Sequence, residues 1–417
     1  MTMTIFQTSV RRILWVTPAL ATLIAGCQLD ATNPGPIVAA SLNDRNALTS
    51  VVNGAGRDVA EALNWVAYTG AAVAREIHPA GSTGSFGITP RQQVGIIADD
   101  DGNTWWNFAQ RARWTAEDAV SRTKTILGAT DAAKSATYAQ ALIWAGYANR
   151  LLGENFCDGV INGGARQAYT VYLERAEANF TEAIAVATAA ANANFVTAAT
   201  AGRASVRLDR GNLSGAASDA ATVASTFAYR MPYYVTDLDQ YNRIYWATAN
   251  QPYRAHTVWN TYYENYRKTT KDPRVPFDSS LTVLVGDAAV GSLGRVRWYF
   301  QTKYPATTSA INLSTGWEMR LVEAEVKLVA GDIPGAMTLV NGRRVLLGLA
   351  PWTATTATEA WVALKRERGI ELWMEGRRLG DFRRWAALNR PGVSDDMTGR
   401  ALCFVTPLSE KETNPSF

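Results

Sequence analysis

Residues 366–385 read Arg366-Glu-Arg-Gly-Ile-Glu-Leu-Trp-Met-Glu-Gly-Arg-Arg-Leu-Gly-Asp-Phe-Arg-Arg-Trp385. Charged and large apolar residues alternate at helical spacing and then meet a break at Gly376. Glu367, Glu371 and Glu375 step by four, with Arg368 and Arg378 three residues from Glu371 and Glu375, so an ion-pair ladder is expected along one helical face. Ile370, Trp373 and, past the break, Leu379 and Phe382 supply the buried side. The stretch carries no nucleophile, tunable base or metal set and reads as a structural lock. Glu371, Glu375 and Arg377 are expected to be buried and bonded to one another, or to backbone at the Gly376 break.

Outward from this lock, helical patterns dominate. They run over 42–76, 104–128, 133–153, 168–191, 197–210 and 214–229, then over 317–330, 333–347 and 357–385, with abundant Ala and few β-branched runs. Two turns repeat each other: Gly211-Asn212-Leu213-Ser214-Gly215-Ala216 and Gly331-Asp332-Ile333-Pro334-Gly335-Ala336. In each, Gly ends one helix in a left-handed cap, Asn or Asp follows, and a small Ala lets the next helix approach closely. This is the core of a tetratricopeptide-like hairpin, and the long interval between the two copies means that the units are interrupted rather than tandem.

The interruption, 230–316, differs sharply in composition. It holds Tyr233, Tyr234, Tyr241, Tyr245, Trp246, Tyr253, Trp259, Tyr262, Tyr263, Tyr266, Trp298, Phe300 and Tyr304, and five prolines keep long helices out of it. Leu281–Val285 and Val296–Phe300 are candidate paired strands.

Several of these motifs resemble the SusD/RagB family. Residues 366–385 match its C-terminal E-R-x-x-E-L-x-x-E-G-x-R-x-x-D-L-x-R-W signature. Arg320-Leu321-Val322-Glu323-Ala324-Glu325 resembles its R-L-x-E-A-x motif, Asn341-Gly342-Arg343 its N-x-R turn, and Asp272-Pro273-Arg274 a short element of the insertion. Ala139 to Phe156 resembles the third helix, and Cys403-Phe404-Val405-Thr406-Pro407 with Glu410 and Asn414-Pro415 the closing segment. Val405-Thr406 and Gly380 depart from the pattern. The resemblance spans the mature chain and implies an all-α fold of degenerate tetratricopeptide-like helical hairpins with an irregular loop-rich insertion. It further implies a surface lipoprotein that captures a nutrient, an oligosaccharide first, for a SusC-like TonB-dependent outer-membrane transporter. Capture of a peptide or other non-sugar nutrient is the alternative, and a lipoprotein glycoside hydrolase a further one.

The N-terminus agrees. Arg11 and Arg12 precede a short apolar core, Ile13 to Ile24, that is too short to span a bilayer. Ile24-Ala25-Gly26-Cys27 closes it as a lipobox, making residues 1–26 a lipoprotein signal peptide, Cys27 the lipid-attachment residue and 27–40 a tether. The helical part is expected over 41–229 and the C-terminal helical part over 317–417. Of 41 Lys and Arg, removal of residues 1–26 takes two, leaving +2 against 37 acids. A nearly neutral chain argues against nucleic acid as a partner. Cys157 and Cys403 remain, an even pair; the exported location favours a disulfide over two buried thiols.

His78 and His256 stand far apart and read as surface or loop residues. Asp99, Asp101 and Asn103 occupy the first three liganding positions of a calcium loop, but Thr104 and Gln110 stand where Gly and Glu are needed. The cluster reads instead as a polar turn capping the next helix. No metal, cofactor or catalytic set is expected. Glu323 and Glu325, two apart on a helix, point to opposite sides and cannot flank one bond. By the family's placement of its ligand loops, Asn103, Trp105 and Trp106 with Tyr241, Tyr245, Trp246 and Tyr253 are the candidate ligand-binding residues, aromatic rings for sugar faces and amides for hydroxyls.

Overall fold

A computed structural model describes residues 39–249, 254–287, 295–395 and 397–417. Cys27, the signal segment and Tyr253 lie outside the described residues. Residues 43–417 form one unit, and of the other, Met1–Leu42, only 39–42 are described.

Eleven helices of nine residues or more occur among the described residues: α1 Leu48–Val73, α2 Asn103–Ala132, α3 Ala136–Asn155, α4 Thr170–Ala189, α5 Ala193–Asp209, α6 Leu213–Ala221, α7 Tyr262–Thr270, α8 Gly316–Val329, α9 Ile333–Leu346, α10 Ala357–Glu371 and α11 Arg378–Ala387. From α1 to α6 each helix packs on the next; α8 then packs on α6, and α9 and α10 on α8. The array of helical hairpins is thus continuous in space although interrupted in sequence. Its close packing depends on small residues. A Cβ at Gly146 of α3 or at Gly202 of α5 would sit 2.5 Å from the Phe180 ring of α4.

The turn chemistry read from the sequence is present. Gly211 and Gly331 are left-handed, φ 78° and 80°. Asn212 accepts from the Gly215 amide at 3.1 Å and Asp332 from the Gly335 amide at 2.8 Å, each satisfying an orphan donor of the following helix. A third copy joins α4 to α5: Asn192 accepts from the Phe195 amide, and Ala191 holds φ 53° in place of a glycine. That substitution is why the sequence pattern hides it.

The insertion leaves and rejoins the array through one antiparallel pair, Ala228–Met231 with Ile311–Thr315. The helix expected over 214–229 stops at Ala221; after a turn, Ala228–Met231 pairs as a strand and places Tyr229 against Trp144 and Tyr147. Of the expected pairing between 281–285 and 296–300, only the inner end forms. Val285–Asp287 pairs with Arg295–Arg297, while Tyr299–Gln301 turns to Phe277–Ser279. Both histidines are buried rather than at the surface. His78 and His256 belong to a two-residue strand pair, His256 shares a 2.8 Å hydrogen bond with the Tyr68 hydroxyl, and burial drives its pKa down to about 3.

The signature segment is a lock, but not a ladder. α10 ends at Glu371, and Met374 and Gly376 are left-handed, so Glu375 and Arg378 lie beyond the helix on which i to i+4 pairing depends. Each charge is paired elsewhere. Arg368 binds Asp381 through two bonds of 2.8 and 2.9 Å, and Arg384 joins Asp381 to Glu325. Arg377 binds Glu154 and Glu318, and Glu375 takes Lys303 and Asn312, both at 2.8 Å. Glu371 and Glu367 share Arg274, which Asp272 holds in turn. The expected bonds among Glu371, Glu375 and Arg377 are therefore absent, although all three are buried or nearly so. The Asp272-Pro273-Arg274 element ties the insertion to the C-terminal helices through these pairs.

Candidate functional site

α1 carries residues on two sides. Its apolar side is core, while Asn53, Arg57, Ala60, Glu61, Asn64 and Trp65 face the segment 231–246 of the insertion. That segment is pinned to it. The Tyr233 hydroxyl donates to the Ala60 carbonyl at 2.9 Å. Asn64, 3% exposed, donates to the Tyr241 carbonyl and accepts from the Arg243 amide, at 2.7 and 2.9 Å. Asn242 caps the short helix Arg243–Thr248 through the Tyr245 amide and donates to the Ser309 carbonyl. A buried amide that uses both donor and acceptor fixes backbone position at the cost of its own hydration.

This fixes a row of rings. Trp246 meets Tyr241 edge-on at 5.1 Å. The Arg243 guanidinium lies 3.3 Å above the Trp65 ring centre, and Trp65 stacks on Phe108 of α2 at 5.8 Å. Burial lowers the Arg243 pKa to about 10, and the Trp65 face offsets part of that cost. Glu61, Trp65, Leu238, Asp239, Tyr241, Arg243 and Trp246 bound a small cleft. Asp239 is shared with a larger neighbouring cleft of about 300 Å³, lined by Asn53, Arg57, Gln140, Trp144, Tyr233, Tyr234 and Gln240.

The charges in these clefts are taken up internally. Glu61 accepts from Arg57 at 2.7 Å and from Arg111 at 2.6 Å, and Arg57 also reaches Asp239 at 3.7 Å. Burial raises the Glu61 pKa and the two guanidiniums oppose it. Two carboxylates share this cleft: Glu61 is bound by both Arg57 and Arg111, while Asp239 is largely exposed. The surface presented is half-buried rings edged by amides and guanidiniums. It suits a neutral ligand with apolar faces and hydroxyl edges.

The two halves of the expected binding site are not brought together. Trp105 and Trp106 are 1% and 2% exposed and offer no face to a ligand. Adjacent helical residues point apart, but here both directions are covered: Trp105 packs on Phe404 and Trp106 on Phe156, and the Trp106 indole reaches Glu410 at 3.2 Å. Asn103 is exposed and accepts from the Ser409 hydroxyl at 2.6 Å. The acidic turn before it does not cap α2, whose N-cap is Gly102 without a side-chain bond; Asp100 and Asp101 pair with Arg91, and Asp99 with Lys411. Tyr241 and Trp246 do line the cleft, and Tyr245 lies half-buried on the same turn. Trp65, Phe108, Arg57 and Arg243 escaped sequence reading, and Tyr234 was read only as one of the aromatics of the insertion. An indole on the polar side of α1, three residues before the buried Tyr68, was the available signal.

Among the described residues no helix is long and apolar enough to cross a membrane. No protein-family model and no curated protein matches the chain. Solved structures do. Surface glycan-binding protein A from Bacteroides thetaiotaomicron superposes with a TM-score of 0.66 at 14% identity, covering 89% of this chain and 98% of its own. A putative sugar binding protein from Bacteroides vulgatus ATCC 8482 gives 0.65 at 16% identity, covering 89% and 97%. A SusD/RagB family protein from Bacteroides thetaiotaomicron VPI-5482 gives 0.64 at 13%, covering 88% and 94%. The chain has the SusD-like fold, an array of tetratricopeptide-like helical hairpins carrying an irregular insertion.

Proposed function

We propose that this chain is a nutrient-binding protein of the SusD/RagB type, held at the outer-membrane surface by lipid on Cys27, that binds an oligosaccharide and delivers it to a SusC-like TonB-dependent transporter. The observation that carries the ligand class is the cleft between α1 and residues 231–246, where Trp246, Tyr241 and Trp65 stand beside amide and guanidinium groups. The names of the solved structures of like fold point the same way. A charged peptide is the weaker reading, because Glu61 of this cleft is already paired with Arg57 and Arg111. A hydrolase would need a carboxylic acid free to give its proton, and Arg57 and Arg111 hold the candidate, Glu61.

Removing the Trp246 indole should weaken oligosaccharide binding about tenfold, the equivalent of about 1–2 kcal/mol of stacking and burial. Calorimetric titration against soluble oligosaccharides, with circular dichroism as the control for folding, measures it. A folded Trp246→Ala, Trp65→Ala double variant that binds like wild type removes this cleft from consideration. The anchor has its own check. Cys27→Ala should move the protein from the membrane fraction to the soluble one; a wild-type Cys27 peptide of unmodified mass would refute lipidation.

A further inference from the structure

Trp114 is the only tryptophan among the described residues that is more than half exposed, at 55%. It stands on the outer side of α2, and no ring among the described residues lies over it. Beside it opens a groove of about 290 Å³ bounded by Gln110, Arg111, Arg113, Val160, Asn162 and Glu410. The floor of this groove is built. Arg113 is 3% exposed and fixed by three bonds, to Gln110 at 3.0 Å, Glu117 at 2.7 Å and Asn162 at 2.9 Å. Gln110 in turn donates to the Val160 carbonyl and the Tyr172 hydroxyl. Asn162, exposed and left-handed at φ 53°, accepts from Arg113 through its side-chain oxygen.

The groove is linked to the candidate cleft on α1 through side chains of α2. Phe108, Arg111 and Trp114 step by three along α2 and form one oblique ridge about 9 Å long. Its lower end, Phe108, stacks on Trp65 of the cleft. Its middle, Arg111, covers the Phe108 ring at 4.8 Å and binds Glu61 of the cleft at 2.6 Å, while also lining the Trp114 groove. Trp65, Phe108, the Arg111 guanidinium and the open Trp114 ring therefore follow one another outward from Trp246 and Tyr241, the inner two rings being covered by Arg243 and Arg111.

We infer that the binding surface extends across α2, with Trp114 as an outer stacking platform, so that the ligand is a carbohydrate chain long enough to reach from the Trp246 cleft to Trp114 rather than a mono- or disaccharide. This rests on the carbohydrate reading of the cleft. A chain occupant fits the site because the rings of Trp246 and Tyr241 and the exposed ring of Trp114 stand at separate places, with the Arg111 guanidinium between them as a hydroxyl partner. An exposed indole at the end of such a row stacks on a sugar face without any rearrangement of the core, since it contributes nothing to that core.

Size-graded fragments of glucan, mannan and xylan are the probes, titrated calorimetrically against wild type, Trp114→Ala and Trp246→Ala. Wild type should gain affinity with fragment length. Trp114→Ala should lose about tenfold of that gain for the longest fragments, about 1.4 kcal/mol, and Trp246→Ala should lose affinity at every length. Because Trp114 is exposed, its variant should melt with wild type. If Trp246→Ala weakens binding and Trp114→Ala binds the longest fragments as wild type does, the extension is wrong and the cleft stands. If wild type binds no fragment of the three polymers, both readings fall.

Discussion

Asp381→Ala should destabilise the protein by about 3–5 kcal/mol, more than any other single substitution considered for this chain. Asp381 is 3% exposed and receives both Arg368, 1% exposed in its side chain, and Arg384. Burial acts to raise the pKa of this carboxyl, but the two guanidiniums outweigh it and hold the group ionised, well below the usual carboxylate range. Its removal leaves two arginines in a dry site, with Arg384 retaining Glu325 and Arg368 losing its carboxylate partner. The cost of a buried charge without its partner exceeds the small net worth of the pair. Urea unfolding followed by far-ultraviolet circular dichroism gives the comparison. A variant whose midpoint matches wild type would show that the network around α10 and α11 is not what joins these helices. The double replacement Arg368→Met with Asp381→Leu should recover much of the loss, because it removes the desolvation problem together with the pair.

Loss of the Cys157–Cys403 disulfide should cost about 2–4 kcal/mol. The two residues are 246 apart in sequence, with Cα atoms 5.2 Å apart, so the cross-link closes a very long loop and restricts the unfolded chain. It also clamps a small parallel bridge. The Cys157 amide donates to the Phe404 carbonyl at 2.9 Å, and the Phe404 amide to the Asn155 carbonyl at 2.7 Å. Phe404 is the ring that covers Trp105 and touches Phe156. A Cys157→Ala, Cys403→Ala variant should therefore unfold at lower denaturant, and dithiothreitol should lower wild type to the same midpoint while leaving the variant unmoved. Equal midpoints for oxidised and reduced wild type would show that the C-terminal segment is held by packing alone.

How far the site was legible follows from the same residues. Tyr241 and Trp246 could be picked out because the family resemblance places ligand loops in the insertion, where these aromatics sit beside amide and guanidinium donors. Trp105 and Trp106 looked equivalent, yet they are core. What buries them is Phe404 and Phe156, one from the far end of the chain and one from the end of α3, and no local pattern states that those elements meet on α2. Trp65 and Phe108 were invisible for the opposite reason. Each reads as an ordinary helical residue, and only the packing of α1 on α2 stacks them into one surface.

By itself, the sequence determined what depends on neighbours a few residues away. Glycine at a left-handed cap followed by Asn or Asp specifies the hairpin turns, because the backbone conformation and the capping bond are local properties, and both such turns form as written. Helical periodicity likewise marked the array and the aromatic, proline-bearing stretch that interrupts it. Only the tertiary structure decided which charges meet. Glu367, Glu371 and Glu375 have the spacing of a ladder, but the helix ends at Glu371. Beyond that point a charge takes whichever partner the fold brings into a site too dry to leave it alone: Glu154, 223 residues away, for Arg377, and Lys303 for Glu375.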